Sequence, residues 1–317
     1  MSDRATWACT QSAGRQRPEA PDGVRNDFQR DRDRIIHAKA FRRLMHKTQV
    51  FIAPDGDHFR TRLTHTLEMM QISRTIARSL ELNEDLTEAI ALGHDLGHTP
   101  FGHTGEEAIS RALATHGRAF RHNEHSLRVV DKLEKSGEGL NLTFEVRDGI
   151  LNHTGKGCPS TREGEIVRVA DRIAYVNHDV DDALRAGIIS FDELPEGPLS
   201  VLGEKMSVRI DTLVRDMIST SRERGEISLS GSVYEALMEL RTWLFRHVYG
   251  TPLSRENEKA ARVVAALFEY YLEHPQERAG TDPDPIVSTV DFVAGMTDRY
   301  ALATYRRLYL PRGEIFA

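Results

Sequence analysis

Three histidines, an aspartate and two glutamates lie close together in the segment AIALGHDLGHTPFGHTGEE, residues 89–107. His94 and Asp95 end a helical stretch whose residues 89–92 are all apolar, so this ionisable pair is expected at the edge of a buried layer. Burying both side chains without a partner would be costly. A divalent cation is a suitable partner for a neutral imidazole beside a carboxylate.

Two further side chains lie in helical segments at positions where polar groups are unexpected. His65 lies near the start of a helical segment, between the apolar residues Leu63 and Leu67. Asp171 lies in EIVRVADRIAYVNHDVDD, whose apolar residues indicate a buried helix. Taken singly, such a histidine is more often a hydrogen-bonded core residue, and such an aspartate is more often a cap or a solvated group. Both are nevertheless candidates to complete a metal coordination shell.

Composition narrows the range of partners. The chain has 317 residues, 39% of them hydrophobic, which is enough to fill a core. A net charge of −6 gives no basic field, so nothing indicates a nucleic-acid partner, although a local basic patch can still hold phosphates. No window is apolar enough to span a membrane and no secretory signal is recognisable, which predicts a cytoplasmic protein with no membrane partner. Cys9 and Cys158 form no CxxC pattern, so neither a disulfide framework nor a zinc knuckle is expected.

The pattern of apolar residues predicts an all-α fold. Apolar positions recur at helical spacing in eleven segments, and strand signals are nearly absent. The exception is TQVFIAPDGDHFRT (48–61), which predicts one small β-hairpin. The predicted helices cover residues 27–47, 62–82, 84–97, 104–116, 123–135, 143–153, 163–186, 204–224, 231–248, 255–273 and 284–308.

Composition also divides the chain into three parts. Residues 1–25 lack periodicity and hold Gly, Pro and Arg, which predicts an N-terminal arm ordered only by contacts elsewhere. Residues 26–190 are predicted to form the helical core, and residues 191–317 an additional C-terminal helical layer packed on that core. Breaks rich in Gly or Pro are expected at SGEGLN, TGKGCPS, ELPEGPLS and HPQERAGTDPDP.

The order His…His-Asp…Asp, with the groups on separate helices, resembles the signature of HD-domain phosphohydrolases. The resemblance implies an HD-domain helical core and one metal ion held by His65, His94, Asp95 and Asp171. Two nitrogen ligands and two or more oxygen ligands suit a six-coordinate ion with water positions. One Mn²⁺ or Mg²⁺ is therefore expected rather than a closed structural zinc site, with other transition metals left open. Such an ion polarises a phosphoryl oxygen and lowers the pKa of bound water.

Six segments resemble the deoxyguanosinetriphosphate triphosphohydrolase family and occur in that family's order. They are FQRDRDRIIHAKAFRRLMHKTQVF (28–51), RTRLTHTLEM (60–69), LGHDLGHTPFGHTGEEAI (92–109), FRHNEHSLRVV (120–130), EIVRVADRIAYVNHDVDDA (165–183) and AGMTDRYAL (294–302). The resemblance implies hydrolysis of dGTP or another deoxynucleoside triphosphate to deoxynucleoside and inorganic triphosphate. It also implies a homo-oligomer, a hexamer in this family. The residues decide neither the base preference nor activation by a second nucleotide. The segment SAGRQRPE matches the family's arginine-containing arm only loosely. Residues 190–290 carry no recognised motif.

A second group of ionisable residues is expected to transfer protons. His103 and Glu106 are three residues apart at a predicted helix start, so their side chains meet and the carboxylate raises the basicity of the imidazole. By resemblance, His103 acts at the α-phosphate as general acid or base with Glu106 supporting it, while His98 and His122 line the same pocket. His98 can instead cap a helix C-terminus, and His122 can belong to an ordinary polar helix start. His125 is assigned no role.

Arginines are needed to hold the triphosphate. A triphosphate carries about four negative charges at neutral pH, which a single metal ion does not balance. By resemblance, Arg62 and Arg172 contact the phosphates. Arg42 and Arg43 are ambiguous, because basic residues at such positions are most often a solvated helix face.

One helix face is expected to select the sugar. Asp171, Tyr175 and Asp179 are spaced i, i+4 and i+8, which places all three on one side of a helix. From composition alone Tyr175 would be assigned to core packing. The resemblance implies instead that Tyr175 packs under the sugar where a 2′-hydroxyl would lie, and that Gln49 and Asp179 contact the 3′-hydroxyl. A preference for deoxyribonucleotides over ribonucleotides follows.

Two other functions stay open at this point. A different HD-domain phosphohydrolase, such as a nucleotide monophosphatase or a cyclic-nucleotide phosphodiesterase, is disfavoured by the segment 28–51 and by the Tyr175 face. A non-catalytic regulator that binds nucleotides or single-stranded nucleic acid would bind without turnover. The complete set of metal ligands disfavours this third alternative.

Overall fold

The computed structural model describes residues 7–50, 59–249, 253–280 and 282–311, and these ranges contain fourteen α-helices. The all-α prediction is therefore confirmed. The helices are α1 (Asp27–Ile36), α2 (Lys39–Arg43), α3 (Arg62–Ser79), α4 (Glu84–Gly93), α5 (Gly102–Ala114), α6 (His122–Arg128), α7 (Phe144–Asn152), α8 (Arg162–Arg185), α9 (Glu196–Leu202), α10 (Met206–Arg224), α11 (Gly231–His247), α12 (Leu253–Glu273), α13 (Pro285–Ala294) and α14 (Asp298–Tyr309).

The predicted hairpin is described only at its base. An antiparallel bridge pairs Thr48 with Thr61, and residues 51–58 lie outside the described ranges. Within the part of the chain that the structure describes, no helix is long and apolar enough to cross a membrane.

Two compact units make up the chain, and each collects three separate segments. Unit 1 contains Met1–His37, Thr64–His94 and Leu140–Thr251; unit 2 contains Ala38–Leu63, Asp95–Gly139 and Pro252–Ala317. The division into an arm, a core ending near residue 190 and a C-terminal layer stays a prediction.

In unit 1, α4 is the central helix and packs against α1, α7 and α8. Its side chains Leu86, Ile90 and Leu92 are buried. The close approach of α7 requires glycine at position 149, because a Cβ atom on Gly149 would lie 2.5 Å from Cδ1 of Ile90. The C-cap residue of α4 is His94, which is fully buried, so this helix delivers an imidazole into the core of unit 1.

In unit 2, α5 packs on α12, which also contacts α13 and α14. Their apolar faces form one core cluster that includes Ile109 of α5, Leu267 and Phe268 of α12 and Val293 of α13. Phe101, the N-cap residue of α5, belongs to the same cluster. This core therefore holds the first turn of α5, which carries two of the predicted proton-transfer residues.

The single helix predicted for residues 27–47 is wrong, because the structure divides it into α1 and α2. Ala38 is extended and α2 begins after it. The Glu134 carboxylate accepts hydrogen bonds from the backbone N–H groups of Lys39 and Ala40, at 3.1 and 2.8 Å. A side chain 95 residues away from Lys39 thus provides the helix cap, and local pattern carries no sign of it.

Two further predictions about helices are also wrong. The helix predicted for residues 284–308 is divided into α13 and α14, and the Thr297 hydroxyl caps α14 by accepting a hydrogen bond from the N–H of Tyr300. The segment ELPEGPLS, predicted as a break, contains α9, with Pro195 as its N-cap residue. Because proline is compatible with a helix start, a helix can form even in this segment rich in proline and glycine.

The N-terminal segment is held to unit 1 by hydrogen bonds and a buried ion pair. Glu145 of α7 accepts a hydrogen bond of 2.8 Å from the Ser12 hydroxyl. The Arg15 guanidinium pairs with the Asp31 carboxylate of α1 and donates a 2.7 Å hydrogen bond to the carbonyl oxygen of Asn141. The Arg15 side chain is only 5% exposed and that of Asp31 is fully buried. Arg15 therefore supplies the counter-charge for a carboxylate inside the core.

We expect Arg15→Ala to destabilise the protein, since it leaves the Asp31 carboxylate buried without its guanidinium. Removing one partner of a buried ion pair costs about 3–5 kcal/mol, which in a protein of this size lowers the melting temperature by roughly 5–10 °C. Differential scanning fluorimetry measures this change. Arg17→Ala replaces an exposed arginine nearby and is expected to change the melting temperature by no more than about 2 °C. Equal changes in the two variants would contradict the role given to Arg15.

Candidate active site

Three helices of unit 1 bring two imidazoles and a carboxylate together. His65 lies in the first turn of α3, His94 follows the last turn of α4, and Asp171 lies in α8. His65 Nε2 is 3.1 Å from Asp171 Oδ1, and His94 Nε2 is 3.8 Å from the same oxygen. Both imidazoles are buried. Three of the four predicted metal ligands are thus neighbours in one unit.

The donor set of this cluster fits a divalent ion. His94 Nδ1 donates a 2.7 Å hydrogen bond to the carbonyl oxygen of Ala91, which leaves the lone pair on Nε2, the atom nearer to Asp171. Burial lowers the pKa of His65, so its imidazole is kept in the neutral form that binds metals. Adjacent ligands of an octahedral ion with bonds of about 2.1 Å lie about 3 Å apart, close to the separation of His65 Nε2 and Asp171 Oδ1.

Asp95, the fourth predicted ligand, follows His94 in the chain and belongs to unit 2. Its Oδ2 atom is 2.5 Å from Nη1 of Arg62, and both side chains are buried. Nη2 of Arg62 also lies 3.4 Å from the carbonyl oxygen of Gln49. Arg62, predicted as a phosphate contact, therefore already orients one predicted metal ligand. Its positive charge disfavours a second divalent ion at Asp95.

The four predicted proton-transfer residues lie together in unit 2. Glu106 accepts hydrogen bonds of 3.0 and 3.1 Å from Nδ1 of His122, and its Oε2 is 3.4 Å from Nδ1 of His103. The buried His98 ring stacks on His122 with centroids 4.3 Å apart, whereas His103 is exposed. Burial tends to raise the pKa of Glu106, but its hydrogen bonds with His103 and His122 outweigh burial and hold that pKa well below its usual range. Burial, helped by the positive charge of Arg62, lowers the pKa of His98, so this imidazole stays neutral.

The turn between His94 and His98 is held by two residues that the sequence did not single out. His125 Nδ1 donates a 2.8 Å hydrogen bond to the carbonyl oxygen of Gly97, and the Gly97 N–H donates to the Ser126 hydroxyl at 2.9 Å. A Cβ atom on Gly97 would lie 2.1 Å from the backbone nitrogen of Ser126, so only glycine fits. The polar neighbours of His125 in the chain gave no sign of this contact, which joins residues 28 positions apart.

The same turn is tied to the segment AGMTDRYAL near the C-terminus. The buried ammonium of Lys47 donates to the carbonyl oxygens of His98 and Ala294, the latter at 2.9 Å. Asp298 accepts a 2.9 Å hydrogen bond from the N–H of Phe101. Burial lowers the pKa of Lys47 to about 7. The segment AGMTDRYAL thus contributes no predicted site residue, but it holds the backbone at His98 in place.

The helix face predicted to hold the sugar has two partners from later in the chain. Tyr175 and Asp179 lie in α8 at the expected spacing from Asp171. Arg241 of α11 donates a 2.6 Å hydrogen bond to the Tyr175 hydroxyl, and the Tyr249 hydroxyl donates to the Asp179 carboxylate. Burial raises the pKa of Tyr249, and the negative charge of Asp179 raises it further. Sequence reasoning missed Arg241 and Tyr249, because both lie in the segment where no motif was recognised.

The other two predicted substrate residues have different surroundings. Gln49 belongs to unit 2 and is buried; among the described residues its Oε1 atom has no hydrogen-bond partner. Arg172 belongs to unit 1 and is partly exposed beside Asp171. A buried amide oxygen without a donor is costly, so Gln49 is a candidate to bind a ligand hydroxyl.

The sequence matches two protein families. Residues 62–176 match the HD domain, and residues 227–307 match the phosphohydrolase-associated domain. A deoxyguanosinetriphosphate triphosphohydrolase-like protein of Caldanaerobacter subterraneus is 56% identical over 95% of this chain and 90% of its own length. Proteins with the same description from Clostridium perfringens and Desulfatibacillum aliphaticivorans are 49% and 47% identical, over 95% and 96% of this chain and 92% and 94% of their own lengths. The chain belongs to the deoxyguanosinetriphosphate triphosphohydrolase-like family.

Membership of this dGTPase-like family confirms the resemblance drawn from the motifs and makes the chain an HD-domain phosphohydrolase. A crystal structure of a hypothetical protein from Aquifex aeolicus shares the fold, with a TM-score of 0.52 and 20% identity over 86% of this chain and 67% of that chain. The HD match contains all four predicted metal ligands, whereas Arg241 and Tyr249 lie in the phosphohydrolase-associated match. The roles of the individual site residues in this dGTPase-like protein stay predictions.

We expect Gly97→Ala to reduce phosphohydrolase activity by roughly a hundredfold or more, because a methyl group there displaces the turn between His94 and His98 and small displacements of reacting groups are costly. The steady-state rate of substrate hydrolysis with Mn²⁺ measures the loss of activity, and circular dichroism checks that the helices are retained. Gly231→Ala is the control, since a Cβ at Gly231 meets open space. Wild-type rates in Gly97→Ala would show that the turn is not constrained as described.

Proposed function

We propose that this chain hydrolyses deoxynucleoside triphosphates, dGTP among them, to deoxynucleoside and inorganic triphosphate, with one bound Mn²⁺ or Mg²⁺. The observation that carries the proposal is the arrangement along α8. Asp171, which lies beside His65 and His94, shares a helix face with Tyr175 and Asp179. Successive residues on this face are about 6 Å apart along the helix axis. The α-phosphate is the phosphate joined to the sugar, so an ion beside the sugar site acts at that phosphate.

The metal ion would be held by His65, His94, Asp95 and Asp171. When bound, such an ion supplies polarisation of a phosphoryl oxygen and a lowered pKa of bound water. The buried imidazoles and the two carboxylates match what Mn²⁺ or Mg²⁺ needs while leaving room for water ligands.

His103 would act at the α-phosphate as general acid or base with Glu106 supporting it, while His98 and His122 line the same pocket. Glu106 holds the Nδ1 side of His122 and of His103, which orients both imidazoles. His103 is exposed, so a substrate oxygen or solvent can reach it. His98 is neutral and buried, and it offers a hydrogen bond without adding charge.

The substrate would be held at both ends. Arg62 and Arg172 would neutralise the triphosphate, and Gln49 and Asp179 would bind the 3′-hydroxyl. Tyr175 would pack where a 2′-hydroxyl would lie. The hydrogen bond from Arg241 supports this selection of deoxyribonucleotides, because a tyrosine whose hydroxyl is fixed is less free to move aside for a larger sugar. A hexameric assembly and a cytoplasmic location remain predictions from sequence.

The products of hydrolysis test the proposal. We expect incubation with each deoxynucleoside triphosphate, alone and in mixtures, with Mn²⁺ or Mg²⁺ to yield deoxynucleoside and triphosphate in equal amounts, and ribonucleotides to react more slowly. Ion-exchange chromatography and ³¹P NMR identify the products. Release of pyrophosphate or phosphate would point to another HD-domain phosphohydrolase, and binding without any product would point to a regulator.

Two variants are expected to distinguish loss of metal binding from loss of the chemical step. Asp171→Ala should lose both the bound ion and turnover, whereas His103→Ala should keep the ion and slow hydrolysis by roughly a hundredfold or more. Metal content is measured by mass spectrometry of the purified variants, and rates by product formation. Retained turnover in Asp171→Ala would overturn the ligand assignment, and loss of the ion in His103→Ala would overturn the division of roles.

A further inference from the structure

A histidine–glutamate pair contacts the edge of the His65 ring that does not point to Asp171. His65 Nδ1 lies 3.2 Å from Nδ1 of His178, and Nε2 of His178 lies 2.8 Å from Oε2 of Glu68. His178 is buried, while Glu68 is 44% exposed. All four residues belong to unit 1, and no step of the proposed function uses His178 or Glu68. Helices α3 and α8 thus each supply one predicted ligand and one member of this pair.

The chemistry of the acceptors determines where the protons lie. An ionised carboxylate only accepts hydrogen bonds, so Nε2 of His178 carries a proton that it donates to Glu68. With that single N–H directed to Glu68, Nδ1 of His178 is the acceptor toward His65. His65 must donate from its own Nδ1, because two lone pairs do not form a hydrogen bond across 3.2 Å. The neutral His65 is left without a proton on Nε2.

This tautomer favours a cation between His65 and Asp171. Nε2 of His65 and Oδ1 of Asp171 then face each other at 3.1 Å as two lone pairs. That approach is unfavourable unless a cation lies near both atoms. We propose that Glu68 and His178 are positioning residues, which hold the His65 imidazole with its Nε2 lone pair available to the metal ion. The inference rests on the metal site of the proposed function and extends it to two residues outside the coordinating set.

The two imidazole ligands are oriented by different means. His94 Nδ1 donates to a main-chain carbonyl, that of Ala91, which no side-chain substitution removes. His65 depends on side chains, so its orientation can be altered without touching a ligand. Partners that fix a ligating histidine typically change metal affinity 10- to 100-fold when they are removed.

Affinity for Mn²⁺ tests the role of the pair in the full-length protein. We expect Glu68→Ala and His178→Leu to raise the dissociation constant, measured by calorimetry, roughly 10- to 100-fold. Glu68→Gln should stay within a few-fold of wild type, because an amide oxygen still accepts the proton of His178. Glu84→Gln is the matched control: this glutamate also belongs to unit 1 but pairs with Arg74 and Arg78, and the affinity should not change.

A second measurement does not depend on whether a variant folds. In wild-type protein with ¹⁵N-labelled histidine and diamagnetic Mg²⁺, the ring nitrogens of His65 should show a proton on Nδ1 and none on Nε2. A proton on Nε2 would overturn the proposal.

The outcomes separate this inference from the proposed function. Wild-type protein that binds no stoichiometric ion would overturn the metal site and the positioning role together. Tight binding in wild type with unchanged affinity in Glu68→Ala and His178→Leu would overturn the positioning role alone. Weakened binding in those variants, in a protein that does not hydrolyse deoxynucleoside triphosphates, would uphold the positioning role and reject the proposed substrate.

Discussion

A neutral imidazole has a single N–H, and the nitrogen that carries it decides what the other nitrogen can do. Two histidines of the candidate site, the buried His94 and the partly buried His122, show this constraint. His94 donates through Nδ1 to the Ala91 carbonyl, and His122 places Nδ1 against Glu106. In each case a fixed acceptor determines which nitrogen carries the N–H. The effect of a charged neighbour such as Arg62 or Asp171 depends on which ring nitrogen carries the proton.

The parts of the structure that depend on local pattern are the parts that can be predicted from sequence. Helices follow from the spacing of apolar residues, and His65 and Asp171 stand out because each interrupts an apolar environment. Tyr175 and Asp179 follow Asp171 at helical spacing, so their common face needs no tertiary information. The assignment of these residues to a nucleotide, by contrast, came from resemblance to a family and not from spacing.

Partners from distant segments carry no local signal, and they account for what was missed. Arg241 fits the amphipathic pattern of α11, and its contact with Tyr175 joins residues 66 positions apart. His125 is assigned no role from sequence, since its acceptor, the Gly97 carbonyl, lies 28 positions away in another turn. The break between α1 and α2 depends on Glu134 in the same way. Each is a hydrogen bond made only after the chain has folded.

The assembly of unit 2 from separated segments has a consequence for synthesis. About 140 residues lie between the end of α5 and the start of α12, the helix that covers its apolar face. At ribosomal rates of about 5–20 residues per second, α5 emerges roughly 7–30 seconds before α12 exists. Ile109 and Leu113 have no α12 to pack against during that interval. The nascent chain is therefore most exposed to aggregation, and most in need of a chaperone, before its last fifth has been made.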